Sequence, residues 1–224
     1  RRGNTDINFL VLGGPGSGKG TLAEKIKAHY GFIHVSTGDL LRAEMARGSL
    51  RGKAALEATM KNAGLADNDL VLDLVKRKID RNRPTAYGVL LDGFPRQAEH
   101  GPVFERKVGP CTAVLYIKVA DETMKTRLML RSKTSGRSDD NEETMKKRIA
   151  AFTRRSVGVI AFYRDKLFTV GWQLSFRSFS TIEPSNKDIF ELFLQINGEQ
   201  SAEKVFKDAC DIFRTLGIRE VPRE

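Results

Sequence analysis

Nine residues near the N-terminus, GGPGSGKGT at Gly13–Thr21, have the types and spacing to hold a phosphate. Glycines let successive backbone N–H groups turn inward and form a concave anion nest. A helix starting near Gly18 would aim its positive end at the same point. Lys19 adds a mobile charge suited to the β- and γ-phosphates of a nucleotide. A second group of candidates lies in VLLDGFPR, Val89–Arg96. Asp92 there can serve as an outer ligand of Mg²⁺ through water, or cap a helix in the turn, and Arg96 follows it closely. STGDLLR, Ser36–Arg42, supplies another arginine just after a short apolar run. A third group spans Thr126–Arg148, where Arg127 and Arg131 stand four apart on one predicted helix face and Arg137 and Arg148 follow. Converging arginines can neutralise a transferring phosphoryl group, whose charge is spread over three oxygens. Two amphipathic helices with a solvated turn would produce the same residue types. Asp139, Asp140 and Asn141 can cap the second of those helices.

The elements that must position these residues are legible from apolar runs. Ile7–Leu12 and Val89–Leu91 read as strands buried on both faces, each running straight into its motif. LAEKIKAHY after the glycine loop has helical spacing, completing strand, glycine loop and helix. At 224 residues, 40% hydrophobic and 29% charged, the chain can bury an ordinary core as one domain, residues 1–224. No apolar run approaches the ~18 residues of a membrane span. Two cysteines and three histidines, at 29, 34 and 100, form neither a disulfide framework nor a zinc pattern, which argues against metal hydrolase chemistry. The net charge of +10 suits an anionic partner. No block of five like charges occurs, so spaced site arginines fit better than a nucleic-acid arm. No apolar signal-peptide core follows Arg1-Arg2-Gly3, and the expectation is a soluble cytoplasmic protein without membrane or nucleic-acid contacts.

Together GGPGSGKGT, STGDLLR, LDGFPR and SGRSDDNEETMKKR resemble the adenylate kinases of the short-lid type, with VIAFYRDK and VFKDACDIF in support. In that resemblance the chain is an α/β protein: a five-stranded parallel P-loop sheet flanked by helices, with a helical monophosphate-binding segment at about residues 37–71 and a short lid at about 132–141. It implies a monomer that moves a phosphoryl group reversibly from Mg·ATP to AMP, giving two ADP. The loop ends GKGT, with Gly20 where the general motif has Ser or Thr, which resembles kinases whose Mg²⁺ is held largely by phosphates and water. Carried over residue by residue, Gly16, Ser17, Gly18, Lys19, Gly20 and Thr21 would bind the ATP phosphates. Arg127 would stack on the ATP adenine, which would meet the backbone near Asn197–Gln200. Thr37, Arg42, Gly64, Leu65, Ala66, Gly93, Arg96 and His100 would form the AMP site, while Arg131, Arg137 and Arg148 clamp the phosphates of both nucleotides.

Three departures from the resemblance stand out. His100 replaces a glutamine that reads the adenine edge, and Ala66-Asp67 replaces Val-Pro. Asp67 could cap the helix that follows. Thr37 favours AMP as acceptor, and His100 keeps UMP or CMP open. The third departure is an extra stretch between Tyr163 and Asn197. Alternation at Trp172, Leu174 and Phe176, and again at Phe190, Leu192 and Leu194, predicts an inserted antiparallel β-hairpin at about residues 168–196. Such a hairpin would extend the sheet or dock a protein partner, and a nucleotide-binding interaction module is the alternative from another class.

Overall fold

The computed structural model of the protein describes residues 7–50, 52–53, 67–134, 141–178 and 193–221, with only the backbone of Arg83 and of residues 167–178. Among these residues five strands form one sheet in the order β2-β3-β1-β4-β5, every neighbouring pair parallel. The strands are β1 (Asn8–Gly13), β2 (Ile33–Ser36), β3 (Val89–Asp92), β4 (Ala113–Lys118) and β5 (Phe193–Asn197). Among the described residues the helices that flank them include α1 (Lys19–Tyr30), α2 (Thr37–Ala46), α3 (Asn68–Asn82), α4 (His100–Lys107), α5 (Asp121–Ser132), α6 (Glu142–Ser178) and α7 (Ala202–Thr215).

Strand alternation divides the core. Leu10 and Leu12 of β1 pack with Leu72, Phe104 and Tyr163 on one side of the sheet. Phe9 and Val11 face the other side with Leu22, Ile26 and Phe213. There the Phe213 ring lies 4.8 Å from both Phe9 and Tyr30. A sheet buried on both faces reads as near-continuous apolar runs, which is why β1 and β3 were legible. Helix ends follow local chemistry as well. Asp67 Oδ1 accepts from Leu70 N–H at 2.9 Å, and Asn141 Oδ1 accepts from Thr144 N–H at 2.9 Å. No helix among the described residues is long and apolar enough to cross a membrane.

The predicted hairpin is corrected at both ends. Residues 168–178, which include its first arm at Trp172, Leu174 and Phe176, belong to α6, and Phe193 and Leu194 belong to β5, which runs parallel to β4. The alternation misled because Leu167, Val170 and Leu174 also recur at intervals of three and four, and no proline interrupts the segment up to Ser178. Its Glu183-Pro184-Ser185-Asn186 turn lies outside the described residues, as do Gly64–Ala66 of the acceptor segment and residues 135–140 of the expected lid.

Candidate functional site

Register brings the motifs together. Asp92, the last residue of β3, is level with Val11 on one side and Ser36 on the other. The glycine loop, STGD and LDGFPR therefore all emerge at the carboxyl edge of three adjacent strands, where open α/β sheets collect ligands. Thr37 is buried and its Oγ1 donates to the Asp92 carbonyl at 3.2 Å. Gly93 turns there at φ 81, and a Cβ would stand 2.8 Å from that same Thr37 Oγ1, so both conformation and space demand glycine.

The phosphate loop is pinned from behind. Gly16 has φ 80, and a Cβ on it would lie 2.8 Å from the Met124 carbonyl. Met124 and Leu128 of α5 pack with Met145 and Ile149 of α6, fastening both helices behind the loop. Beside this buried stripe Arg127, Arg131 and Arg148 are half-buried. The loop closes with Ser17 N–H donating to the Gly14 carbonyl at 3.1 Å, and Gly18, at φ 94, precedes the first turn of α1.

Lys19 Nζ donates to the Gly14 carbonyl at 2.7 Å. Burial lowers its pKa from the ordinary lysine value; the Asp92 carboxylate opposes this, and the charges of Arg148, Arg96 and Arg131 add to it. Arg96 donates through Nε to the Gly93 carbonyl at 3.1 Å. Its pKa is also lowered, first by burial, then by Arg148, against Asp92, with Arg155 and Arg42 contributing further. Arg96 nevertheless meets solvent, as a side chain on the wall of a deep open cleft does. Arg42 is held to Asp39 at 2.5 Å. Asp92 is thus the carboxylate that opposes the crowding of positive charge at Lys19 and Arg96, with the charges of Arg131 and Arg148 bearing on the same lysine. Such a constellation can accept and neutralise polyphosphate.

A family model for adenylate kinase matches residues 11–168. The chain belongs to the adenylate kinase family. It is 42% identical over 208 residues to adenylate kinase isoenzyme 1 of Gallus gallus, covering 93% of this chain and 94% of that one. Against adenylate kinase isoenzyme 1 of Homo sapiens it is 47% identical over 202 residues, 90% of this chain and 91% of the relative. Adenylate kinase 1 of Drosophila melanogaster is 37% identical over 198 residues, 87% and 80% of the two chains. The protein is a phosphotransferase of this family, with the P-loop sheet that the family implies.

Beside the cationic cluster of this adenylate kinase lies an open cleft lined by Thr37, Leu41, Asn68, Val71, Gly93, Phe94, Arg96 and His100. The His100 ring stacks on Phe94 at 5.5 Å with planes 13° apart. Its Nδ1 is buried with no hydrogen-bond partner among the described residues. Burial lowers the His100 pKa from its ordinary value, Glu99 opposing and Arg96 assisting, which favours the neutral ring. Gln200, expected near the ATP base, has its side-chain amide engaged with the Asn197 carbonyl and Asp208 Oδ2, both at 3.0 Å.

Of the expected residues, the structure brings Lys19, Asp92, Arg96, Arg131 and Arg148 together and sets Thr37, Gly93 and His100 around the adjoining cleft. Arg137 lies outside the described residues. Sequence reasoning missed Phe94, although it sits inside LDGFPR, and the apolar walls Leu41 and Val71. It also missed Arg155, whose charge bears on Arg96. Arg155 follows Arg148 by seven residues on α6, two helical turns, and that spacing was the available signal.

Proposed function

We propose that the phosphate cluster and the cleft sharing Arg96 are the two halves of an ATP:AMP phosphotransfer site. As an adenylate kinase the enzyme catalyses ATP + AMP ⇌ 2 ADP. The observation that supports this residue assignment is the juxtaposition itself: a cationic centre at the glycine loop abuts a partly apolar cleft, and Arg96 belongs to both. Gly16–Thr21 receive the ATP phosphates, and Arg127 with the Asn197–Gln200 backbone receives its adenine. Thr37, Arg42, Gly93, Arg96 and His100 receive AMP, with Gly64, Leu65 and Ala66 completing that site.

The chemistry needs no covalent intermediate. An oxygen of the AMP phosphate attacks the γ-phosphorus of ATP, and the bond to the β–γ bridging oxygen breaks, leaving one ADP as the other forms. Lys19, Arg131, Arg137 and Arg148 supply fixed positive charge where the three equatorial oxygens develop theirs. Their value lies in being placed beforehand, since no solvent then has to reorganise at the moment of transfer. Asp92, a hard oxygen donor facing this centre, fits Mg²⁺, a cation that retains several waters and is held jointly with substrate phosphates. It would hold the ion through water, and the bound ion would offset phosphate charge. The proposal extends to a monomer working in the cytoplasm, as the family resemblance implies.

The test is ADP formation from Mg·ATP with AMP, UMP, CMP and GMP offered separately. Preference for AMP is expected. Preference for UMP or CMP would reassign the cleft to pyrimidines and overturn His100 as an adenine contact.

A further inference from the structure

Helix α5 begins without a cap of its own. The residue before it, Ala120, has extended backbone at φ −68 and ψ 152 and no side-chain oxygen to receive the first N–H groups. The cap comes from far along the chain, in the loop between β5 and α7. Glu199 Oε1 accepts from Ala120 N–H at 2.7 Å, and Glu199 Oε2 accepts from Thr123 Oγ1 at 2.8 Å. Both oxygens are thus occupied at the helix end where negative charge is favoured. These two bonds, then the charge of Arg127, hold the carboxyl below its ordinary pKa.

The loop carrying Glu199 is itself fixed. Glu199 N–H donates to Asn197 Oδ1 at 3.0 Å, and Gly198 N–H donates to the Lys118 carbonyl at 2.8 Å. A Cβ on Gly198 would stand 2.4 Å from Val119 Cγ2, so the loop lies hard against the end of β4. Glu199 therefore ties the 197–200 backbone to the helix that carries Arg127 seven residues past Ala120.

We propose that Glu199 is a positioning residue for the adenine of ATP, setting the width of the slot between Arg127 and the Asn197–Gln200 backbone. The inference rests on the placement of the donor base given above. A planar base held between a guanidinium face and a strip of backbone needs both walls at a fixed separation. Of the two forward substrates only ATP uses this slot, so loosening it should weaken ATP binding without touching the acceptor or the transfer step. A purely structural cap would behave differently: its loss would lower the melting temperature and leave the nucleotide constants of the folded enzyme unchanged.

Glu199→Ala is expected to raise KM for ATP five- to tenfold, with kcat and KM for AMP moving less than twofold, measured well below the melting temperature of each variant. Glu199→Gln keeps acceptor oxygen at one of the two positions and is expected to fall between wild type and Glu199→Ala. Arg127→Ala is the control for the base placement and should raise KM for ATP at least as much. Unchanged KM for ATP in Glu199→Ala beside a raised value in Arg127→Ala would overturn the positioning role alone. Unchanged values in both would overturn the placement of the adenine and the inference with it. A parallel fall in kcat and rise in both KM values would show general loosening of the fold and would also overturn it.

Discussion

Around Lys19 the protein gathers charge: Asp92, Arg96, Arg131 and Arg148 all bear on its ammonium. The cleft on the other side of Arg96 is walled instead by Leu41, Val71 and Phe94, with His100 stacked on the phenyl ring. Like charges are costly to crowd, and packing from behind adds to the Asp92 carboxylate in keeping them there. The buried stripe of Met124, Leu128, Met145 and Ile149 does this for the arginines of α5 and α6. The cleft, lined by apolar walls and a few polar groups, needs no such restraint for its proposed task of sorting flat heterocycles. On the proposed assignment one region serves transition-state charge, and the other ground-state fit. They should therefore respond to mutation in different kinetic constants.

Lys19→Met offers the largest break in that comparison. It is expected to lower kcat by a factor corresponding to roughly 3–4 kcal/mol or more, the scale of a lost oxyanion donor, with the fold intact by circular dichroism. Near-normal turnover would dissolve the distinction between the two regions. Arg96→Ala comes next because Arg96 serves both. Loss of a charge-assisted contact worth about 1.5–3 kcal/mol should raise KM for AMP roughly ten- to a hundredfold, with KM for ATP little changed. Equal effects on both nucleotides would show that Arg96 does not belong to the acceptor site in particular.

The base cleft should yield smaller effects. His100→Gln is expected to shift the AMP-to-GMP preference by no more than about 1–3 kcal/mol and to leave kcat within twofold, read from kcat/KM for each acceptor. A collapse of kcat would mean that His100 belongs to the chemistry. The smallest effect concerns pH. The folded-state pKa of His100 is lowered from 6.5, so the unfolded chain binds its proton first. This residue's contribution to stability is therefore complete above pH 6.5 and is lost as pH falls toward the lowered folded value. Urea midpoints at pH 7.5 and pH 5 should differ less in His100→Gln than in wild type. An identical difference would show that other groups carry it.

How much of this could be read from residues depended on distance along the chain. The glycine loop spans nine consecutive positions, so its chemistry is local and its motif is legible. Asp92 and Arg96 were legible for a related reason, a buried strand running directly into a turn. Phe94, Leu41 and Val71 come from three separate elements, and nothing in their local spacing says that they share a cleft. Residues 168–178 show the opposite failure: a local alternation was present, but a helical period was also present, and helix prevailed.

By itself the sequence determined the phosphate loop, the buried parallel strands, the caps at Asp67 and Asn141, and the family to which the chain belongs. These rest on short-range rules: backbone freedom at glycine, apolar runs, and side chains that bond N–H groups within three residues. Only the tertiary structure decided that Ser36, Asp92 and Val11 stand level, that Arg155 reaches the electrostatic field of Arg96, and that Glu199 caps a helix through Ala120, 79 residues earlier. Those pairings depend on strand order and register, which are set by packing both faces of the sheet at once rather than by any one segment.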